Sequence, residues 1–297
     1  MARATFEEKE YESAALGELM CPAGGASSFA MSAGQVLERV VGYDAAAAPS
    51  PAHVVWRILR MPRPSGVRLL PTMWQPQPQP DGARLPRTPV TLVLQFKRPE
   101  YMFGPAARQW RLWHRPYYRF ELRPGQQRVL STLEGNAGLD VLVRYAAPAF
   151  WQRGDLEAAH LRREVLGQSG FVSPQELKGH RWWTYLGPGI DGQANQFNRF
   201  TRFETWGDVV EALSVHVPSP RALVPVEALG DHVVRVGDAA AEAAPAALRR
   251  QVINWARMLR RSEPELTGET VARVRAIAMI STSVAKAGAV WFLADTR

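Results

Sequence analysis

The segment Pro89–Lys97, PVTLVLQFK, constrains the fold more than any other part of the sequence. Residues Leu92–Leu94 are continuously apolar, as expected of a strand that is covered on both faces. Side chains alternate along a strand, so Gln95 and Lys97 emerge together on one face while Phe96 turns the other way into a core. The segment therefore predicts a buried strand that ends in two polar side chains.

Other segments place this strand in an α/β protein. Phe6–Met20 is rich in helix formers with an approximate apolar stripe, and Gln126–Leu133 is a second predicted helix. Leu139–Tyr145 is β-branched and apolar and predicts a further strand. Pro62–Pro89 repeats Pro and Gln as no packed element would, so we expect an exposed insertion there. The late part of the chain is mostly helical, with a clear apolar stripe in Ala246–Arg261.

The charge balance favours a polyanionic partner. The chain has 36 Lys and Arg against 28 Asp and Glu, a net charge of +8 and a pI of about 10.0. A basic protein of this kind attracts nucleic acid more than neutral or cationic partners. Arginines scattered over a solvated surface would give the same sum without forming a binding face, so the charge alone leaves both interpretations open.

The sequence disfavours several other classes of protein. Cys21 is the single cysteine, which leaves no disulfide within the chain and no multi-cysteine zinc site. The six histidines form no HExxH motif and no pair at helical metal spacing, so zinc is not expected. The first residues lack the apolar core of a signal peptide, and the most apolar late stretch, Val271–Leu293, is interrupted by Arg273, Arg275 and Lys286. We expect a cytoplasmic protein without a membrane span.

Gln95 and Lys97 have two interpretations. The simpler one is a solvated strand end, because Arg98 and Pro99 mark the exit from the strand. The other is phosphodiester hydrolysis, which needs a divalent cation held by oxygen ligands and a cationic group near the attacked phosphate. Asp44 would supply a carboxylate, Gln95 an amide oxygen and Lys97 the ammonium. Asp44 also fits an ordinary turn aspartate that follows a glycine.

These residues resemble the PD-(D/E)xK nuclease superfamily, and within it the Mrr-like restriction endonucleases. Three motifs carry the resemblance: Gln95-Phe96-Lys97, similar to the Q-x-K that often ends their catalytic strand; Phe6-Glu7, similar to the Phe-Glu of their first helix; and Gly42-Tyr43-Asp44, similar to the Gly and Asp that precede the strand of their metal aspartate. The order of the predicted elements agrees as well. The resemblance covers roughly the first half of the chain.

The resemblance implies a restriction-endonuclease-like core of helix, mixed β-sheet, helix and strand over residues 1–152. A C-terminal α-rich region of unknown role follows over residues 153–297. The implied function is metal-dependent cleavage of nucleic acid, most simply by a DNA endonuclease of bacterial restriction or anti-phage defence, with Mg²⁺ or Mn²⁺ as cofactor. A homo-oligomer and a larger defence complex are both compatible with that function.

The resemblance also implies roles for individual residues. Asp44 and Gln95 would be the metal ligands, and Lys97 the catalytic cation. Glu7 would complete the catalytic set, although the other glutamates of the first helix and Glu38 compete with it. Each of these glutamates also fits an ordinary solvated helix face.

The aromatic and basic segment that follows the strand is the predicted nucleic-acid surface. The arginines expected to contact phosphates are Arg98, Arg108, Arg111 and Arg115. The alternative to an enzyme is a non-catalytic nucleic-acid-binding or adaptor protein that retains a nuclease-like fold. A third interpretation is a protein-interaction component that uses the terminal helices.

Overall fold

The computed structural model describes residues 1–20, 29–32, 45–48, 91–138, 141–194, 200–215, 226–262, 267–287 and 289–293. Asp44 and the predicted Pro62–Pro89 insertion lie outside these residues. The described part contains eight helices and two main sheets, which confirms the mixed α/β class. None of these helices combines the length and the apolar character that a membrane span requires.

Helices and strands are mixed along the described part of the chain, which has four consecutive helices near its end. The helices are α1 (Glu8–Met20), α2 (Trp110–Trp113), α3 (Pro124–Ala137), α4 (Arg153–Arg162), α5 (Trp206–Val215), α6 (Val226–Ala243), α7 (Ala246–Ser262) and α8 (Gly268–Lys286). The strands are β1 (Ala2–Arg3), β2 (Phe29–Ser32), β3 (Ala45–Ala48), β4 (Thr91–Phe96), β5 (Glu100–Met102), β6 (Tyr117–Glu121), β7 (Val141–Pro148), β8 (Ser169–Val172), β9 (Trp182–Tyr185), β10 (Asp191–Ala194), β11 (Phe200–Arg202) and β12 (Val290–Leu293). Three predicted helices are confirmed: Phe6–Met20 as α1, Gln126–Leu133 as α3 and Ala246–Arg261 as α7.

The predicted buried strand is β4, and it lies inside a four-stranded sheet with the order β12-β4-β7-β8. All six of its residues are buried, as the continuous apolar run predicts. It pairs in parallel with β7, where Leu92 lies opposite Leu142. On its other side it pairs antiparallel with β12, where Val93 lies opposite Trp291. Parallel strands need a crossover, and α3 belongs to the segment that connects β4 to β7.

Two apolar cores cover the two faces of this sheet. On one face, Val93 and Val143 belong to a core that includes residues of α3, α6 and α8. On the other face, Phe96 belongs to a core built with α1, α4 and α5. The Phe96 ring meets Tyr11 of α1 edge to face, with 5.3 Å between the centroids. The prediction that Phe96 points away from Gln95 and Lys97 into a core is confirmed.

The second main sheet has six antiparallel strands in the order β1-β5-β6-β9-β10-β11. The aromatic segment Trp182–Tyr185 forms its strand β9 and not a packed turn. Trp183 is fully buried, and Gly192 of β10 leaves room for its indole where any Cβ would overlap the ring. The Trp183 side chain therefore belongs to the apolar core between this sheet and the helices.

The four-stranded sheet draws its strands from distant parts of the chain. β4 and β7 precede residue 152, whereas β8 and β12 follow it. The two regions that the resemblance separates therefore share one sheet. The helices α6 and α8 also pack closely, because a Cβ at Gly237 would overlap that of Ala276 and lie 2.6 Å from its Cα.

Candidate catalytic site

The candidate site lies where the parallel strands β4 and β7 end beside the first turn of α3. The ladder extends one residue beyond β4, since the backbone N–H of Lys97 donates to the carbonyl of Ala146 at 2.8 Å. This hydrogen bond fixes the direction in which the Lys97 side chain leaves the strand. Gln95 lies opposite Tyr145 in the parallel register, so the Tyr145 ring belongs to the same neighbourhood.

Lys97 is a buried lysine and not a solvated strand end, because it is only 5 % exposed. Its Nζ donates to Oε1 of Gln126 at 3.0 Å and lies 5.4 Å from the centre of the Tyr145 ring. The pKa of the Lys97 ammonium is lowered to about 8, chiefly by burial and with a contribution from Arg123, while Glu8 and Glu121 oppose the shift. A lysine with this pKa changes its protonation near neutral pH, as catalytic lysines do.

Gln95 is fully buried, and only half of its amide is used within the protein. Its Nε2 donates to the carbonyl of the next residue, Phe96, at 2.9 Å. Its Oε1 is buried and has no hydrogen-bond partner among the described residues. An unused buried acceptor costs about 1–3 kcal/mol, so it calls for an explanation such as a ligand or an ion. A neutral amide oxygen is an oxygen ligand of the kind that Mg²⁺ and Mn²⁺ accept.

Glu7 lies just before α1, and Glu8 and Glu10 lie in its first turn. These three glutamates differ in their relation to Lys97. Glu7 has a side chain that is 70 % exposed, and it accepts a hydrogen bond from Arg98 at 2.8 Å. Glu8 accepts from the backbone N–H of Arg98 at 3.3 Å, and its charge raises the pKa of Lys97. Glu10 pairs with Arg153 at the surface. Of the glutamates at the start of the first helix, Glu8 is thus the one that acts electrostatically on Lys97.

The sequence-predicted site is therefore assembled only in part by the described residues. Gln95 and Lys97 lie on one face at one strand end, as predicted. Asp44 lies outside the described residues, so its distance from Gln95 stays a prediction. Glu7 is at the surface in an ion pair with Arg98, whereas the charge of Glu8 acts on Lys97.

The four predicted phosphate-binding arginines fall into two groups. Arg98 is partly buried and structural, because its guanidinium binds Glu7 and donates to the carbonyl of Ala4 at 2.5 Å. The other three are exposed around α2: Arg108, Arg111 and Arg115. An exposed cation is free to meet a phosphate, so these three fit the predicted binding role better than Arg98 does.

Sequence reasoning missed the contribution of α3. Gln126 holds the ammonium of Lys97, and the adjacent Gln127 accepts a hydrogen bond from the Tyr145 hydroxyl at 2.7 Å. Gln127 also donates to the carbonyl of Pro174 at 2.5 Å. The signal was present as two consecutive glutamines at the start of a predicted helix, but glutamine is a common residue on solvated helices. The pairing of β4 with β7 is what shows that α3 begins beside the end of β4.

An open groove runs along α3 next to this site, with a volume of about 960 Å³. Gln127 lines it and so connects it to Tyr145 and the Lys97 neighbourhood. Its cationic lining consists of Arg128, Lys178 and Arg181, and Arg181 is paired with Glu121. The groove therefore carries an excess of positive charge, which suits an anionic ligand.

Neither a cluster of metal-binding side chains among the described residues nor a known relative assigns a role to the site. No group of three or more His, Cys, Asp or Glu side chains suited to a metal ion is found within the described ranges. The described residues offer the unused Oε1 of Gln95, and the carboxylates of Glu8 and Glu121 act on Lys97 through their charge. In comparisons with known proteins, no family model matches the chain, and neither does any curated protein or solved structure.

Proposed function

We propose that this protein is a metal-dependent nuclease, most simply a DNA endonuclease, with a restriction-endonuclease-like core around β4, α3 and β7. The single observation that carries the proposal is that one face of one strand end holds both a buried lysine of lowered pKa, Lys97, and an unused buried amide oxygen, that of Gln95. The role in bacterial restriction or anti-phage defence rests on the sequence resemblance.

The residues present fit a divalent cation in kind. Gln95 Oε1 would be a neutral ligand, Asp44 remains the proposed carboxylate ligand, and Glu8 replaces Glu7 as the proposed second acidic group. A bound Mg²⁺ or Mn²⁺ would polarise the phosphate and make an attacking water more acidic. No described histidine or cysteine cluster competes for a softer metal.

Lys97 would act on the negative charge that develops at the attacked phosphate. Its pKa of about 8 leaves most of the side chain protonated at neutral pH, which suits this electrostatic role. The hydrogen bond to Gln126 fixes the direction of the ammonium. Glu8 favours the charged form of Lys97, because its negative charge raises the pKa that burial lowers.

The direct test is cleavage by the purified full chain. Supercoiled plasmid, linear duplex, single-stranded DNA and RNA would each be incubated with Mg²⁺, Mn²⁺ or EDTA. We expect nicking of DNA that needs the metal, and a loss of about 100-fold or more in Lys97→Met, since a group that stabilises transition-state charge contributes about 10²–10³ in rate. Glu10→Gln is the control, because Glu10 lies on α1 with Glu8 but pairs with Arg153 at the surface.

Two outcomes would contradict the proposal. One is a folded wild-type protein that cleaves none of these substrates with either metal. The other is Lys97→Met with wild-type cleavage. Circular dichroism and thermal unfolding of each variant separate loss of chemistry from loss of fold.

A second function is favoured by a specific observation, the enclosure of the lysine. Lys97 is 5 % exposed and its ammonium is already held by Gln126, as in a structural core position. A non-catalytic nucleic-acid-binding or adaptor protein that retains the fold would show this arrangement. It would bind nucleic acid in a salt-sensitive way, cleave nothing, and bind equally well as Asp44→Ala or Lys97→Met.

A further inference from the structure

Helix α7, Ala246–Ser262, carries the most concentrated positive charge of the described part of the chain. It contains five arginines: Arg249, Arg250, Arg257, Arg260 and Arg261. No Asp or Glu occurs anywhere between Glu242 and Glu263. The helix therefore contributes five positive charges, more than half of the net +8 of the whole chain. A helix with this density of positive charge attracts anionic partners.

The apolar side of α7 is already used within the fold. Val252 and Ala256 are each only 5 % exposed and belong to the core that α8 also lines. Leu248 packs against the same core. These three positions are spaced by four residues and so share one face. The helix is held against the protein by that face and presents the opposite one to solvent.

The outward face is a basic stripe. Arg250, Asn254, Arg257 and Arg261 are spaced by four, three and four residues, and all are exposed. The stripe extends over about 16 Å at 1.5 Å per residue. Asn254 accepts a hydrogen bond from Arg257 at 3.3 Å, and none of the helix's five arginines forms an ion pair with a carboxylate of the described residues. Among the described residues, no carboxylate therefore competes with an anionic ligand for these guanidinium groups.

A membrane surface fits this geometry poorly. Helices that lie on bilayers insert an apolar face and keep arginines at its edges. In α7 the apolar face is turned into the protein, and the outermost line is arginine and asparagine. The exposed apolar side chains on the helix, Trp255 and Met258, lie to one side of that line and form no continuous face. A polyanion with regularly spaced charges, contacted by guanidinium groups, fits the stripe better.

We propose that α7 is a docking surface for the phosphate backbone of nucleic acid, and that this is the role of the C-terminal helical region. The stripe covers the length of about five base pairs at 3.4 Å each. Contacts of this kind position nucleic acid without reading its sequence. The inference deepens the proposed nuclease function, because it assigns a surface that holds the substrate outside the Lys97 site.

The test is binding of the full chain to a fluorescent 25-base-pair duplex in EDTA, where cleavage is absent. The variant is Arg250→Gln/Arg257→Gln/Arg261→Gln. The matched control is Arg153→Gln/Arg162→Gln/Arg202→Gln, which removes the same charge from arginines whose side chains are 55 %, 55 % and 62 % exposed. Binding would be measured between 50 and 200 mM salt.

We expect the α7 variant to bind at least about tenfold more weakly at 50 mM salt and the slope of log K against log salt to fall by about 2–3, roughly one for each phosphate that the variant leaves without its guanidinium. The control should stay within about twofold of wild type in this electrostatic assay. Equal losses in both triple variants would overturn the proposal, since general charge would then explain binding. Binding to phosphatidylserine vesicles but not to the duplex would overturn it as well.

This experiment separates the inference from the nuclease proposal. Wild-type binding that depends on α7, in a protein that cleaves nothing with either metal, supports the docking surface and contradicts the nuclease. Metal-dependent cleavage with binding indifferent to the α7 substitutions supports the nuclease and contradicts the docking surface.

Discussion

The Nζ atom of Lys97 lies 3.0 Å from the Oε1 atom of Gln126, so the end of β4 and the first turn of α3 are joined through a buried ammonium. The amide oxygen replaces part of the hydration that the lysine loses. It does so incompletely, because burial still lowers the pKa of Lys97 to about 8. The charge at this position therefore depends on pH in the range where the protein would work.

The first prediction concerns stability against pH. The unfolded lysine titrates near 10.5 and the folded one near 8, so between these values the unfolded chain binds more protons and the free energy of unfolding rises with pH. Between pH 7 and 9.5, wild type should gain about 2 kcal/mol relative to Lys97→Met, measured by urea unfolding at both values. Lys178→Met, at an exposed position, is the control for removal of one positive charge. A difference independent of pH would show that Lys97 keeps an ordinary pKa.

The second prediction compares two buried glutamines. Gln95 leaves its Oε1 unused, whereas Gln127 donates to Pro174 and accepts from Tyr145. We expect Gln95→Met to change the free energy of unfolding by less than about 1 kcal/mol while cleavage falls, and Gln127→Met to destabilise the fold by about 1–3 kcal/mol. Chemical denaturation of both variants gives the comparison. A large destabilisation by Gln95→Met would mean that its amide serves the fold and not a ligand.

The third prediction concerns the ion pairs that Arg144 of β7 forms. Arg144 of β7 donates to Glu134 of α3 at 2.8 Å and to Glu204 at 2.5 Å, and its side chain is 10 % exposed. Removing one partner of a buried ion pair leaves the other charge uncompensated. Arg144→Met should therefore destabilise the protein by about 3–5 kcal/mol in denaturant unfolding.

A companion variant tests the cause of that destabilisation. Arg144→Met/Glu134→Gln should recover part of the stability, because it removes a carboxylate whose pKa is already raised by burial. Arg181→Met is the surface control, since that side chain is 71 % exposed in its pair with Glu121 and should matter by less than about 1 kcal/mol. If the double variant were as unstable as the single one, uncompensated charge would not be the reason.

The fourth prediction concerns the packing of α6 against α8. A Cβ at Gly237 would overlap Ala276, so Gly237→Ala must push the two helices apart. We expect a destabilisation of about 1–3 kcal/mol despite the better helix propensity of alanine. Gly154→Ala in α4, where a Cβ meets no atom within 4 Å, should be neutral or slightly stabilising. Thermal unfolding of the two variants checks the contrast, and equal melting temperatures would contradict the packing argument.

Local pattern was enough to predict the elements that carry strong periodicity. The apolar run of β4 is long enough to exclude a solvated strand, and the stripe in α7 repeats with a helical period. The six-stranded sheet was missed because its strands are only two to five residues long and each is held by partners far away in sequence. β6, for example, pairs with β9 at Phe120 and Trp183. A short aromatic strand of this kind has no signature that distinguishes it from a packed turn.

The site was predictable to the extent that it depends on alternation along one strand. Gln95 and Lys97 share a face because they are two residues apart. How deeply the two side chains are buried was not predictable. The burial of Lys97 depends on α3, and α3 begins beside Lys97 because the chain crosses over from β4 to β7. Glu8 could not be separated from Glu7 either, since that choice depends on how α1 is rotated against the strand end.

The register between Val93 and Trp291 has a consequence for how the molecule comes into being. β4 cannot receive its β12 neighbour until translation has passed nearly two hundred further residues, and until then one edge of a wholly buried strand lacks its partner. Unpaired edges of this kind recruit other chains. Pairing over so long a separation is also slow to form. Residues Val290–Leu293 therefore close the free edge of β4 only when the chain is nearly finished.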